Sequence, residues 1–248
     1  ILFREGLRLE QMTAKLETLP LQLDPAEFYR LASAPTPGLL AQVPWLVLPK
    51  GASLEGYLWA DTYRVLADTS AEELIVMILN RFREVVGEER MTVPEARGLT
   101  FHQVVTLASV VEQEVIVADE APLVAGVYQN RLAKKMKLEI DATLLYNADP
   151  SASFSDLKAL DTPYNTYMHT GLPPTPIANP GRASIKAALA PAGKPASTDE
   201  ACVGLPKSTK CEYLYYVLAD KDGRHVFATT YEQHLANVEK ARTAGILP

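Results

Sequence analysis

Two glutamates that lie two positions apart are the strongest candidates for chemistry in this chain. Glu112 and Glu114 belong to the segment LASVVEQEV, in which apolar residues recur at helical spacing. On a helix the two carboxyls lie about 160° apart, so they cannot serve one site. A carboxyl held against apolar side chains loses hydration and its pKa rises, which suits it to general acid catalysis. The pattern does not choose between the two glutamates, and taken alone it favours an ordinary helix with two solvated carboxylates.

The helix that carries these glutamates is predicted to run from Thr100 to about residue 117. Thr100 and Gln103 form a T-x-x-Q capping box ahead of an apolar run. The helical wheel gives one broad apolar arc with a polar side opposite to it. The residues predicted on that polar side are His102, Thr106, Ser109 and Gln113.

A proline-rich polar loop, TPYNTYMHTGLPPTPIANPG at residues 162–181, is the second candidate feature. Its prolines restrict the backbone, its tyrosines offer aromatic faces and hydroxyls, and Asn165 and Thr166 can hydrogen-bond polar groups of a ligand. A stiff polar loop facing a half-buried acid fits acid–base chemistry on an uncharged polar substrate. Each of these side chains could instead hold the loop together. Asp141 could line the same cleft or cap a turn.

The other elements are predicted from capping and turn signals. Asp24 and Ser70 are expected to cap two helices of the N-terminal region, and Asp119 a helix through APLVAGVYQNRLAKKM. LEIDATLLYN is predicted as a short strand leading into a turn. EYLYYVLA and RHVFATT, joined through DKDG, predict a β-hairpin, and a capping box at Thr230 and Gln233 begins a last helix.

The order of these elements indicates an α+β fold, because no βαβ alternation is present. We expect a helical N-terminal region over residues 1–98. A mixed α/β domain with a C-terminal hairpin and helix is expected over residues 99–248.

Composition and motifs exclude several function classes. The net charge of −6 disfavours nucleic-acid binding, which needs a basic surface. No Gly-rich phosphate loop or Ser nucleophile elbow is present, and the four histidines lack the spacing of metal ligands. We therefore expect no cofactor and no metal.

Cys202 and Cys211 flank the polar stretch VGLPKSTK. A disulfide between them would stabilise the fold by about 2.5–3 kcal/mol on the chain-entropy model and would indicate an extracytoplasmic location. We favour this disulfide because both thiols would otherwise be exposed, and two free thiols in a reducing compartment are the alternative.

The sequence begins at Ile1 rather than Met, so we expect a fragment or a processed form of a longer protein. No apolar run approaches the length of a membrane span.

Several segments resemble the endolytic transglycosylases of the YceG-like (MltG) family. LASVVEQEV is similar to the family's ASIVEKET, VAGVYQNRL to VASVFINRL, LEIDATLLYN to LQTDPTVIYG, and LEGYLWADTY to EGYLFPDTY. The loop YNTYMHTGLPPTPIANPG matches the family signature almost throughout. The likeness covers most of the chain. Departures include Val115, Ala142 and Ala60, and the two cysteines lie outside the family pattern.

The resemblance implies which residues act. It carries the catalytic acid onto Glu114 and not onto Glu112. It places the substrate-binding residues in three segments around that acid. They are Asn130, Asp141, Thr143, Tyr146, Tyr164, Asn165, Thr166, Tyr167, Gly171 and Pro173.

The resemblance also implies the activity, a peptidoglycan lytic transglycosylase (a lyase) that cuts the MurNAc–GlcNAc β-1,4 bond and leaves 1,6-anhydroMurNAc ends. Such an enzyme is expected to act on nascent strands and limit their length. Two alternatives stay open. One is a peptidoglycan-binding scaffold without activity, and the other is a hydrolytic muramidase with Asp141 or Asp161 as its second carboxylate.

Partners and location follow from the same likeness. The expected partners are glycan strands of peptidoglycan and the synthases that polymerise them. The full-length protein is expected to be anchored in the cytoplasmic (inner) membrane by a single N-terminal helix that this chain lacks. Its catalytic domain would then lie outside the cytoplasm, in the periplasm.

Overall fold

The computed structural model describes residues 1–91, 98–192 and 195–247, and the chain divides into two compact units. The first unit comprises Ile1–Gln113 and Pro173–Ile185, and the second comprises Glu114–Leu172 and Lys186–Pro248. This division falls near the end of the helix that carries the candidate glutamates, and not near residue 98. Since compact units and domains need not coincide, the division into residues 1–98 and 99–248 stays a prediction.

The described part of the first unit is built from helices. Asp24 and Ser70 cap two of them, as predicted: the Asp24 carboxylate accepts from the Ala26 N–H at 2.9 Å, and Ser70 forms a capping box with Glu73. The helices are α1 (Leu9–Glu17), α2 (Pro25–Ser33), α3 (Pro37–Ala41), α4 (Ala71–Val86), α5 (Glu88–Met91) and α6 (Phe101–Glu114). Only the last residue of α6 belongs to the second unit.

Helix α6 is buried almost all round, which corrects the prediction of a polar side. The capping box of Thr100 and Gln103 is confirmed by hydrogen bonds of 2.8 and 3.2 Å. Of the four residues expected on the polar side, Gln113 is exposed, whereas the other three are buried. The three buried residues are His102, Thr106 and Ser109. Segment 173–185 covers that side of the helix within the unit, and a wheel drawn from one helix cannot show such a neighbour.

Hydrogen bonds engage at least one side-chain atom of each of these three residues, which lowers the free-energy cost of burying them. The Ser109 hydroxyl accepts from the Ile177 N–H at 3.0 Å and donates to the Thr106 carbonyl at 2.7 Å. His102 Nδ1 lies 3.0 Å from the Tyr57 hydroxyl. Gly56, at φ +91°, also packs closely in this unit, since a Cβ there would lie 2.5 Å from Pro176.

The second unit combines helices with a two-stranded antiparallel sheet. The predicted hairpin is confirmed, with Tyr215 opposite Ala228 and Leu218 opposite His225. The capping box at the start of the last helix is confirmed as well. The elements are α7 (Ala121–Ala133), α8 (Asp141–Leu145), α9 (Phe154–Ala159), β1 (Tyr215–Leu218), β2 (His225–Ala228) and α11 (Tyr231–Thr243). A further helix, α10 (Arg182–Leu189), begins in the first unit and ends in the second.

Two local predictions in the second unit are wrong. Asp119 does not cap α7, because it lies in a 3₁₀ turn (Ala118–Glu120) and the helix begins at Ala121, beside a proline that favours a helix start. LEIDATLLYN does not form a strand. Its backbone turns at Glu139, where φ is +57°, and continues into the short helix α8.

The combination of helices with a small antiparallel sheet confirms the predicted α+β class. Cys202 and Cys211 form a disulfide with Cα atoms 5.4 Å apart. Within the described residues, no helix is both long and apolar enough to cross a membrane.

Candidate active site

Glu114 ends helix α6, and its carboxyl lies half-buried in the second unit. The Tyr216 hydroxyl, on strand β1, donates to its Oε2 atom at 2.9 Å. The backbone N–H of Ala142, at the start of α8, also hydrogen-bonds the carboxyl. One helix end, one strand and one short helix therefore converge on a single acid.

Burial is the main cause that raises the pKa of Glu114 above its ordinary value. The hydrogen bonds from Tyr216 and Ala142 oppose this rise, because they stabilise the charged form. The negative charge of Asp141 adds to the rise in pKa, and His225 lowers it. The result is a carboxyl that holds its proton to higher pH than a solvated glutamate, as a general acid must.

Two tyrosines connect this acid to the interior of the unit. Tyr128, on α7, is buried, and its hydroxyl is hydrogen-bonded to that of Tyr216. The two rings meet edge to face with centroids 6.1 Å apart. Tyr216 is thereby held between Glu114 and the core of the unit.

A buried histidine–carboxylate pair packs against the same tyrosine. His225 Nδ1 lies 2.8 Å from Glu120 Oε2, and the His225 N–H donates to both Glu120 oxygens at 3.1 Å. The His225 ring meets the Tyr216 ring edge to face at 5.1 Å. Glu120 thus fixes the imidazole, and the imidazole supports one face of Tyr216.

Asp141 and Tyr167, both predicted as substrate-binding, form a polar pair in the second unit. The Tyr167 hydroxyl donates to Asp141 Oδ1, and Lys158 Nζ lies 3.9 Å from the centre of the Tyr167 ring. Asp141 is exposed and Tyr167 is half-buried. Both remain accessible to a ligand.

Three other predicted ligands, Thr143, Asn165 and Thr166, are buried and hydrogen-bonded within the second unit. Their side chains are at most 2% exposed. Thr166 Oγ1 accepts from the Ile140 N–H at 2.9 Å and lies 3.0 Å from Thr143 Oγ1. Asn165 Nδ2 donates to the Leu160 carbonyl at 2.8 Å. Their polar atoms are engaged inside the unit, and their predicted contact with substrate stays a prediction. The threonines hold the start of α8, which carries the Ala142 N–H.

Asn130 also makes a structural contact, since its Nδ2 atom donates to the Tyr213 carbonyl at 3.0 Å. The next residue, Arg131, is buried and donates to the carbonyls of Leu214, Lys137 and Leu138 at 2.6–3.0 Å. The guanidinium therefore ties the hairpin to the segment before α8.

The remaining predicted ligands are spread over both units. Tyr146 and Tyr164 pack in the second unit with ring centroids 4.9 Å apart, and both are half-buried. Gly171 has φ +98°, a backbone region that favours glycine. Pro173 is buried and belongs to the first unit.

The other candidate glutamate has a structural role. Glu112 Oε2 accepts from the Ser184 hydroxyl at 2.6 Å and from the Gly181 N–H at 3.1 Å. These bonds tie α6 to the last residue of the signature loop and to α10 inside the first unit. Asp161, one alternative second carboxylate, is exposed and lies 2.6 Å from His169 Nε2.

Sequence reasoning missed Tyr128, Tyr216, Glu120 and His225. The hairpin prediction gave the strands of Tyr216 and His225 but not which side chains would meet the acid. Among the residues that the structure describes, no group of three or more His, Cys, Asp or Glu side chains could hold a metal ion.

Comparison with known proteins places the chain in a family. The profile of the YceG-like family matches residues 1–240. The chain is 36% identical over 191 residues to the endolytic murein transglycosylase of Bacillus subtilis (strain 168), covering 75% of the chain and 48% of that protein. It is 30% identical over 245 residues to the protein of the same name from Streptococcus pneumoniae serotype 2 (strain D39 / NCTC 7466), covering 95% of the chain and 40% of that protein.

The chain thus spans less than half the length of these two relatives. A crystal structure of a YceG-like protein from Listeria monocytogenes has a similar fold, with a TM-score of 0.76 and 30% identity. That match covers 95% of the chain and 74% of the solved one.

Proposed function

The chain belongs to the YceG-like family, and from this premise we propose that it is the catalytic part of an endolytic peptidoglycan lytic transglycosylase. The observation that carries the proposal is the Glu114 carboxyl, which is half-buried, has its pKa raised by burial, and is engaged at Oε2 by Tyr216. The names of the two relatives support the same activity.

In the proposed reaction one carboxyl serves both steps. Protonated Glu114 donates its proton to the glycosidic oxygen between MurNAc and GlcNAc, and the C1–O bond of MurNAc breaks with oxocarbenium character at C1. The resulting carboxylate then takes the proton of the MurNAc 6-hydroxyl, whose oxygen bonds to C1. The products are a GlcNAc hydroxyl and a 1,6-anhydroMurNAc end, and Glu114 is again protonated. Hydrolytic glycosidases need a second carboxylate, whereas here the nucleophile belongs to the substrate.

We assign the predicted site residues two kinds of role. Asp141 and the tyrosines Tyr146, Tyr164 and Tyr167 form the wall of the glycan cleft in this proposal, with Gly171 shaping the loop. The other predicted polar residues position that wall in this proposal. They are the half-buried Asn130 and the buried Thr143, Asn165 and Thr166.

The whole protein's setting is part of the proposal. We propose that it acts on nascent strands outside the cytoplasmic membrane, beside the synthases that polymerise them. We also propose that residues 1–98 form a substrate-side subdomain and residues 99–248 the catalytic domain.

A hydrolytic muramidase is the second candidate, and one observation favours it. The Asp141 carboxylate is near enough for its charge to raise the pKa of Glu114, and it is exposed. It could activate a water molecule.

Product analysis in water labelled with heavy oxygen separates these functions. Uncrosslinked glycan strands would be incubated with the protein and their ends examined by mass spectrometry. We expect 1,6-anhydro ends without label. Labelled reducing ends would establish a hydrolase. The absence of any cleavage, under conditions where the protein binds the strands, would indicate a scaffold.

A further inference from the structure

Tyr216 is the one side chain whose hydroxyl donates to Glu114 among the described residues, at 2.9 Å from Oε2. Behind it, the Tyr128 hydroxyl is hydrogen-bonded to the Tyr216 hydroxyl. Tyr128 is 1% exposed, so water does not reach it from the surface. Glu114, Tyr216 and Tyr128 therefore form a linear chain from a half-exposed acid into the core.

The number of protons in this chain fixes its direction. Each tyrosine hydroxyl has one proton to donate. In the part of the chain that the structure describes, Tyr216 is the one hydrogen-bond partner of the Tyr128 hydroxyl. Tyr128 must donate to Tyr216, because a buried O–H without an acceptor is unfavourable. The oxygen of Tyr216 is then occupied, and its own proton is directed at Glu114.

We propose that Tyr216, held by Tyr128, is a positioning residue that donates to Oε2 of Glu114 and so controls how readily this carboxyl gives up its catalytic proton. The inference deepens the proposed function and rests on it. When Glu114 is ionised in the second step, the Tyr216 hydroxyl stabilises the carboxylate. The family motif VASVFINRL has phenylalanine at the position of Tyr128, so this chain adds a polar group there.

Tyr216 stays a donor throughout the working pH range. Burial raises the pKa of its hydroxyl well above the ordinary value, and the charge of Glu114 adds to the rise. Other titratable or charged groups also act on this acid and its tyrosines from the surrounding elements. They are Tyr128 and Arg131 on α7, Asp141 on α8, Tyr167 in the signature loop, and His225 on β2 with its partner Glu120.

Tyr216→Phe removes the donor but keeps the ring. Because the lost hydrogen bond stabilised the charged form, the pKa of Glu114 rises further. We expect the basic limb of the kcat profile on uncrosslinked glycan strands to move up by about one pH unit. KM should stay within about twofold, since a positioning residue acts on the acid and not on the sugar.

Tyr128→Phe should move the same limb in the same direction by a smaller amount, because Tyr216 becomes a weaker donor. In the background of Tyr216→Phe it should add no further shift, since its effect passes through the Tyr216 hydroxyl. Tyr213→Phe is the matched control. Tyr213 precedes β1, and its hydroxyl donates to Asp199 rather than to the acid. This variant should keep the wild-type profile.

A carbon-13 NMR titration of the Glu114 carboxyl tests the same point without relying on activity. The resonance is identified by its absence in Glu114→Gln. Its midpoint should rise by about one unit in Tyr216→Phe and stay unchanged in Tyr213→Phe. Thermal unfolding of each variant checks that it is folded.

Coincident titration midpoints in wild type and Tyr216→Phe would overturn the inference. So would a shift by Tyr128→Phe that persists in the absence of the Tyr216 hydroxyl. If the wild type releases no anhydro ends, the proposed function fails instead, and the NMR titration still decides whether Tyr216 governs this carboxyl.

Discussion

Glu55 in the first unit and Glu114 in the second are both carboxyls whose pKa burial raises, yet their surroundings differ. Glu55 is 1% exposed, and its oxygens accept from the Leu9 N–H at 3.1 Å and from Asn179 Nδ2 at 2.7 Å. Glu114 is half-exposed, and one side-chain donor engages one of its oxygens. A raised pKa therefore does not identify a catalytic acid. The property that distinguishes them is exposure, since Glu114 is partly exposed and Glu55 is buried.

The two halves of the signature loop are associated with different carboxyls. The side-chain Nδ2 of Asn179, in the signature loop, donates to Glu55, and its side-chain Oδ1 accepts from the backbone N–H groups of Gly56 and Leu58 at 2.7 and 3.0 Å. That half of the loop builds the core of the first unit. The half that carries Tyr164 and Tyr167 lies in the unit of the acid.

The largest expected effect is on activity, and it separates the two carboxyls directly. Glu114→Gln should lower the cleavage rate by about a thousandfold, because the amide cannot donate an acidic proton. Glu55→Gln should leave the rate within about threefold. Rates on one preparation of strands measure both. The comparison fails if the Glu55 variant loses as much activity as the Glu114 variant.

The next effect tests whether the unit that holds Glu114 depends on the buried guanidinium of Arg131. Arg131→Met should lower the free energy of unfolding by about 3 kcal/mol, because buried carbonyls at the hairpin and before α8 lose their donor. Urea unfolding measures the change. Arg30→Met is the matched control, since Arg30 pairs with Glu27 on the surface, where such pairs contribute little. Equal losses in the two variants would contradict a structural role for Arg131.

The pH dependence of stability tests whether buried Glu55 is protonated in the folded protein. Burial raises the pKa of Glu55 from the ordinary 4.5 to about 8. Between these values the folded protein keeps a proton that the unfolded chain releases, so stability should fall as pH rises. We expect a loss of about 2 kcal/mol from pH 5 to pH 7.

Glu55→Gln provides the check, because it removes the titrating group. Its unfolding free energy should change less with pH than that of the wild type. If the unfolding free energy of Glu55→Gln changed with pH as much as that of the wild type, Glu55 would be ionised in the folded protein. Glu55 and Glu114 would then differ in charge as well as in exposure.

The smallest effect concerns the buried threonines of the signature region. Thr166→Val should cost about 1 kcal/mol, because the Ile140 N–H loses its acceptor. Since this threonine is buried, kcat should fall while KM stays near the wild-type value. Steady-state kinetics on glycan strands measure both. A rise in KM alone would instead indicate that Thr166 contacts the sugar, as the family resemblance implies.

Local signals predicted the elements well. The capping boxes at Thr100 and Thr230 and the Asp-Gly hairpin depend on residues a few positions apart, and a sequence displays those directly. The failures depend on distant partners. His102, Thr106 and Ser109 are buried because segment 173–185 covers them, and LEIDATLLYN bends because Thr166 accepts from Ile140.

In the candidate site, too, sequence reasoning found some residues and missed others. Glu114 was chosen by likeness to a family and not by the helical wheel, and the hydrogen bonds of Glu112 to Ser184 and Gly181 now give a physical reason for that choice. Tyr216 lies 102 positions from Glu114, so no local pattern could join them.

The most direct test of the central claim compares the two neighbouring glutamates of α6. Glycan strands cleaved by the wild type, Glu112→Gln and Glu114→Gln would be quantified by mass spectrometry of their ends. We predict 1,6-anhydro ends from the wild type and from Glu112→Gln, and none above background from Glu114→Gln. Comparable products from both variants would contradict the assignment of Glu114 as the acid–base.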